Sequence, residues 1–105
     1  MNPEFTNRSE YPLPQDLQVL LTVVREQSFA AAARQLGQSP AYVSKRIQTL
    51  ESTLGCRLLQ RSTRSLKLTA DGERVLPWAT QVLNSLRDMQ DDLSDARVSP
   101  KGRML

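Results

Sequence analysis

The chain has 105 residues, a hydrophobic fraction of 39% and a formal net charge of +3, which suits one small folded domain with a modest core. It has no histidine and a single cysteine, Cys56, which excludes most transition-metal sites, histidine-based catalysis and an internal disulfide. We therefore expect no enzyme, metal or cofactor in this fragment. Without a membrane-spanning apolar run or an export leader, we expect a cytoplasmic protein with no membrane partner.

The N-terminal segment, residues 1–13, is polar and shows no hydrophobic period. We predict that it is flexible and lies outside the fold. Glu4-Phe5 also matches what a common cloning site encodes, so residues 1–5 are interpreted as an expression remnant.

Two helices are predicted next. The first begins near Pro14–Asp16, and its apolar stripe has helical spacing: Leu17, Leu20, Leu21 and Val24. Ser28 is a predicted N-cap for a short second helix, 29–36. Gly37 stands where a helix commonly ends in a left-handed residue.

A third helix, 40–54, follows after only three residues. Ser39 is its predicted N-cap, and Pro40 takes the first position, where a missing N–H costs little. Its predicted apolar seam is Val43, Ile47, Leu50 and Leu54. Two helices joined by a short turn with glycine are typical of a helix-turn-helix.

Two short strands, 57–61 and 65–68, are predicted around a polar tip, forming a wing over residues 56–68. Thr69 then caps a last helix, 69–97. Apolar residues at heptad spacing predict a dimerisation seam along it: Val75, Ala79, Val82, Leu86, Met89 and Leu93. Pro77 should kink this helix or mark where it leaves the domain. The fold class is thus mainly α: a winged helix-turn-helix over 14–68 (three helices plus a two-stranded wing), followed by a long dimerisation helix over 69–97.

The outward face of the third helix carries the candidate DNA-reading side chains. The predicted base-contacting residues are Pro40, Ala41, Tyr42, Ser44, Lys45 and Gln48. Lys45 can donate to guanine acceptors, and Gln48 can bridge the adenine edge. For either residue alone, the plain alternative is a solvated side chain. Tyr42 is equally compatible with packing against the first helix.

Further residues are predicted to contact the DNA backbone. They are Ser28, Ser39, Arg46, Thr49, Arg61, Arg64 and Lys67. Residues 45–67 hold six basic side chains against one acid, Glu51, as expected of a surface that faces a polyanion. Two alternatives stay open: Arg46 pairs with an acid or with a phosphate, and Ser28 serves only as a cap. Cys56 is interpreted as a packing residue.

The order of these residues resembles the N-terminal domain of LysR-type transcriptional regulators. The matching residues are Ser28-Phe29, Ala32-Ala33, Leu36, Ser39, Val43-Ser44, Ile47, Leu50-Glu51, Leu54-Gly55, Leu58-Leu59, Arg61, Leu68-Thr69 and Gly72. The resemblance implies an antiparallel homodimer through the long helix, with a tetramer expected for many full-length members. It also implies double-stranded DNA with interrupted dyad symmetry as the partner.

Residues 98–105 resemble the start of the family's effector-binding domain. The resemblance therefore implies a truncated fragment whose small-molecule effector binds a missing C-terminal domain. RNA polymerase is a further candidate partner. The alternative function is a winged-helix protein-interaction module, which would need an apolar or acidic third-helix face rather than one with Lys45 and Gln48.

Overall fold

The computed structural model describes residues 11–62 and 65–98, with side chains as far as Ser94 in the last helix. Three predictions lie outside this part of the chain. They concern the N-terminal segment up to residue 10, Arg64 at the wing tip, and the start of a further domain from residue 99.

The first two helices are α1 (Pro14–Glu26) and α2 (Phe29–Leu36). Ser28 caps α2 as predicted, because its Oγ accepts a hydrogen bond from the Ala31 N–H at 3.0 Å. Gly37 ends α2 with a φ of 68°, a left-handed conformation that a residue without a Cβ adopts at little cost. This residue turns the chain sharply toward the third helix.

The third helix, α3, spans Pro40–Leu54. Ser39 Oγ accepts a hydrogen bond from the Tyr42 N–H at 3.1 Å, which confirms the predicted cap. Val43, Ile47 and Leu50 are fully buried. The predicted fourth seam residue, Leu54, is exposed instead, because it occupies the last turn of the helix, just before the chain turns at Gly55.

The wing consists of β1 (Leu59–Arg61) and β2 (Leu66–Leu68), which pair antiparallel. β1 is shorter than predicted because the preceding backbone bonds elsewhere. The Leu58 N–H donates to the Glu51 carboxylate at 2.8 Å, and the Leu58 carbonyl accepts from the Thr69 N–H at 2.9 Å. The base of the wing is thereby tied to both flanking helices.

The last helix, α4, spans Ala70–Val98. Thr69 caps it by accepting a hydrogen bond from the Gly72 N–H at 2.9 Å. The helix continues through Pro77, and the partly buried Leu83 still packs against the core. The helix therefore leaves the domain after Leu83, so Pro77 does not mark the exit, and the alternative of a kink at Pro77 stays a prediction.

The core lies between α1 and the elements around it, since α1 packs against α2, α3 and α4. Its fully buried centre is formed by Leu20, Val23, Ala32, Val43, Ile47, Leu50, Leu58 and Ala79. Gly72 lets the start of α4 approach the wing closely, because a Cβ there would collide with the Leu58 carbonyl oxygen. This packing holds α3 with its opposite face turned outward.

Candidate nucleic-acid interface

The outward face of α3 is polar and accessible. The burial of Val43 and Ile47 on one side of the helix leaves the opposite side to solvent. The exposed residues on it are Pro40, Ala41, Lys45, Gln48 and Ser52. Lys45 and Gln48 are three residues apart and are therefore neighbours on the helix surface. The Lys45 amine, which donates hydrogen bonds, therefore lies beside the Gln48 amide, which both donates and accepts them.

The predicted residues at the edges of this face are less accessible. Ser44 and Thr49 are half-buried on its two flanks. Tyr42 is half-buried and packs against the core, which agrees with the packing alternative for this side chain. Its part in base contact stays a prediction.

Arg46 lies on the inner edge of α3 and is paired with an acid. Its Nη1 donates to Asp16 Oδ1 at 3.2 Å and its Nη2 donates to Thr49 Oγ1 at 3.3 Å. Asp16 was predicted only as a helix-start residue, yet it is almost fully buried. Burial raises the pKa of the Asp16 carboxyl above its ordinary value of 3.8, although Arg46 opposes the shift.

The one acid among residues 45–67 is withdrawn from the surface. The Glu51 side chain is 11% exposed. Its carboxylate accepts hydrogen bonds from the N–H groups of Leu58 and Leu59, at 2.8 and 3.2 Å. Lys45, Arg61 and Lys67 are exposed, and so is Arg57, whose Nε lies 3.8 Å from the Glu51 carboxylate. The described surface around α3 therefore presents positive charge, with its acids turned inward.

Arg61 connects the wing to the helix-turn-helix. Its guanidinium carbon lies 4.6 Å from the centre of the Phe29 ring, a cation–π distance. Its Nη1 is 3.5 Å from Ser44 Oγ on α3, a long hydrogen bond. A cation, the predicted backbone-contacting Ser28 and the predicted base-contacting Ser44 thus border one region at the start of α2.

Lys67 faces the other way. The register pairs Gln60 with Lys67 and Arg61 with Leu66. Since successive residues of a strand point to opposite faces, Arg61 and Lys67 lie on opposite faces of the wing. Arg61 and Lys67, both predicted to contact the DNA backbone, therefore do not converge on one phosphate.

A cleft runs between the chain before α1 and the flank of α3. It is lined by Tyr11, Leu13, Asp16, Lys45, Arg46, Gln48, Thr49, Ser52 and Thr53. The cleft is open to solvent and its lining is mostly polar, unlike the enclosed apolar pockets that bind small molecules. Among the described residues, no group of acidic and cysteine side chains is suited to a metal. The helices of this part of the chain also lack any apolar stretch of the length that a membrane span requires.

Cys56 is half-buried at the end of α3. Burial, followed by the nearby carboxylates of Asp71 and Glu51, raises the pKa of its thiol above 9.0. A thiol that resists ionisation is a poor nucleophile, which agrees with the interpretation of Cys56 as a packing residue.

The predicted dimerisation seam is divided by the fold. Ala79 is fully buried in the domain's own core and is not available to a partner helix, and Val75 is partly buried against the same core. The remaining four are 38–53% exposed in the isolated chain: Val82, Leu86, Met89 and Leu93. Trp78, which the heptad spacing does not include, borders this seam and is 68% exposed.

The sequence model of one protein family, the bacterial regulatory helix-turn-helix proteins of the lysR family, matches residues 14–73 of this chain. The chain belongs to the LysR family. The matched segment contains α1, α2, α3, the wing and the first turn of α4. The resemblance inferred from the residues is confirmed, and so is the winged helix-turn-helix fold.

Known LysR proteins show the same relation in more detail. The regulator DmlR of Escherichia coli K12 is 48% identical over 93 residues, which is 89% of this chain and 30% of that protein. The LysR family regulator VV2_1132 has a similar structure, with a TM-score of 0.80 and 27% identity, over 86% of this chain and 31% of that one. The BenM DNA-binding domain, solved with catB site 1 DNA, gives a TM-score of 0.78 and 31% identity over 83% of this chain and 98% of that one.

These relatives are transcriptional regulators, which agrees with the expectation that the chain is not an enzyme. The chain spans about 30% of the length of the curated relatives it matches.

Proposed function

We propose that the chain binds double-stranded DNA sequence-specifically as a homodimer and thereby regulates bacterial transcription. In this proposal the N-terminal half of α3 enters the major groove, and the wing lies on the backbone or in the minor groove. The observation that carries it is the exposed pair Lys45 and Gln48 on the outer face of α3. The BenM domain, similar in fold and sequence, was solved bound to DNA, which supports DNA as the partner of this chain.

The chemistry of the face supports base reading. Lys45 can donate to guanine O6 and N7, and Gln48 can make two hydrogen bonds to the adenine edge. Arg61, stacked on Phe29 beside Ser44, is suited to a phosphate at the start of α2, where helix N–H groups add to the attraction. A protein-interaction module would need an apolar or acidic face in this place.

The exposed seam of α4 supports an antiparallel homodimer. In an antiparallel pair centred between positions 86 and 89, Leu86 lies opposite Met89 of the partner subunit. Val82 then lies opposite Leu93 of the partner subunit. All four apolar side chains would then be covered. Two recognition helices related by a two-fold axis would read a site with interrupted dyad symmetry. Effector binding, assembly into tetramers and contact with RNA polymerase are proposed for the full-length protein.

A binding titration tests the proposal. A duplex selected from host genomic fragments and a scrambled duplex of equal length are titrated with the chain at several KCl concentrations, with fluorescence anisotropy as the readout. We expect affinity for both to fall steeply with salt, and the selected duplex to bind at least about 1,000-fold more tightly. Binding that ignores salt, or equal affinity for both duplexes, would refute the proposal.

A further inference from the structure

A buried ion pair connects the first turn of α1 to the middle of α3. Asp16 and Arg46, 30 positions apart in sequence, approach to 3.2 Å. The Asp16 side chain is 2% exposed and that of Arg46 is 19% exposed. The second arm of the guanidinium reaches Thr49, one turn further along α3. Arg46 is thus held on two sides, away from the outward face that carries Lys45.

We propose that Arg46 is a positioning residue rather than a DNA contact. The Asp16–Arg46–Thr49 network fixes the rotation of α3 about its own axis, so that Lys45 and Gln48 meet the base edges in register. This inference rests on the proposed function, because the rotation matters only if α3 reads bases. It replaces the phosphate contact that the sequence predicts for Arg46.

The directionality of the network is the reason to assign it this role. The buried seam of α3 packs through apolar contacts, which have no preferred direction, whereas charge-assisted hydrogen bonds are strong and directional. Side-chain tips lie about 5–6 Å from a helix axis, so a rotation of about 10° moves them by about 1 Å. Lys45, Arg46 and Gln48 lie close together on the same helix. Any such rotation of α3 therefore displaces the side-chain tips of both Lys45 and Gln48. A displacement of that size is enough to spoil a bidentate base contact.

The network also leaves the charge of the DNA-facing surface unchanged. A paired carboxylate and guanidinium sum to zero, and both are largely withdrawn from water. Phosphate binding by a free arginine releases counterions and adds about 0.9 to the slope of log affinity against log salt. A paired Arg46 adds nothing to that slope. Positioning and phosphate contact therefore differ in a measurable quantity.

The test is the same pair of duplexes titrated with the Arg46→Gln chain at four KCl concentrations. We expect the preference for the selected duplex, which is the ratio of its affinity to that of the scrambled duplex, to fall about tenfold. The Asp16 carboxylate left unpaired in this variant repels both duplexes alike, so its effect cancels in this ratio. Arg87→Gln is the matched control, since it removes the same charge from the exposed part of α4; it should leave the preference within twofold. If Arg46→Gln weakens both duplexes equally and lowers the slope by about 0.9, Arg46 contacts phosphate and the inference is overturned.

Arg46→Gln leaves a buried carboxylate without its partner and can unfold the domain. The double variant Asp16→Leu/Arg46→Met avoids this, because apolar pairs of similar volume commonly replace buried ion pairs without loss of stability. It should fold, as checked by circular dichroism, and should still show at least a fivefold loss of preference at an unchanged slope. Wild-type preference in this variant would refute the positioning role alone. A wild-type chain without preference would refute the proposed function, and the positioning role with it.

Discussion

The exposed seam of α4 leads to a quantitative prediction for the variant Leu86→Glu. Fully burying an aliphatic side chain contributes about 1.5–3 kcal/mol. The four seam residues are 38–53% exposed, so covering them contributes roughly half of that each. The eight side chains of a dimer then supply roughly 6–12 kcal/mol. Association costs about 4–15 kcal/mol, so the dimer of this chain is close to balance and sensitive to single changes.

Leu86 lies near the centre of the proposed interface and occurs twice in the dimer. Its replacement by Glu removes about 1 kcal/mol of burial in each copy and brings a carboxylate against Met89 of the partner subunit. We expect a total loss of about 2–4 kcal/mol, which is a dimer roughly 30- to 700-fold weaker. Sedimentation equilibrium over a concentration series measures this constant directly.

Trp78 offers a second readout for the same variant. It is the chain's single tryptophan and borders the seam, 68% exposed in the isolated chain. Its emission should shift to the red on dilution of the wild-type chain and stay red-shifted at all concentrations in Leu86→Glu. The control is Asn84→Glu, which adds the same charge on the opposite side of α4. Equal dimer constants for Leu86→Glu and the wild type, or equal weakening by Asn84→Glu, would refute the reasoning.

Three further predictions concern the domain itself. Gly72→Ala should destabilise the fold by about 1–3 kcal/mol, because its Cβ would meet the Leu58 carbonyl oxygen; urea unfolding measures the change, and an unaltered midpoint would contradict it. Arg61→Ala should weaken DNA binding several-fold more than Lys67→Ala, since Arg61 adjoins Ser44 and Lys67 faces away; equal losses by anisotropy would contradict this. Finally, the pKa of Asp16 in the folded state is raised above 3.8, so the folded state binds this proton more tightly than the unfolded state does. The contribution of Asp16 to stability is therefore lost as the pH rises through the raised pKa. Urea midpoints measured upward from pH 4 should therefore fall more steeply for the wild type than for Asp16→Leu/Arg46→Met, and parallel profiles would contradict it.

Features set by neighbouring residues were predictable from the sequence. Ser28 and Ser39 each cap a helix that begins at the next residue, and a cap needs only the local order of residues. Gly37 marks the turn for the same reason. With these bounds known, the helical period alone identified Lys45 and Gln48 as outward-facing, because their orientation follows from the burial of the other side of α3.

Features set by distant contacts were not predictable. Asp16 meets Arg46 across 30 positions; the sequence left Arg46 between an acid and a phosphate and did not identify Asp16 as its partner. Glu51 binds the backbone at the base of the wing, which shortens β1 and removes an acid from the surface. Ala79 fits the heptad pattern as well as Leu86 does, yet it packs inside the domain. A hydrophobic period indicates that a face is covered but does not indicate what covers it.

The measurement closest to the central claim is a base-substitution profile of the selected duplex. Every base pair is replaced in turn, and binding is compared for the wild type, Lys45→Ala and Gln48→Ala. If α3 reads bases through these two side chains, each variant should lose about 1–3 kcal/mol of discrimination at one or two base pairs and keep the rest of the profile. A profile that both variants share with the wild type at every position would contradict the account.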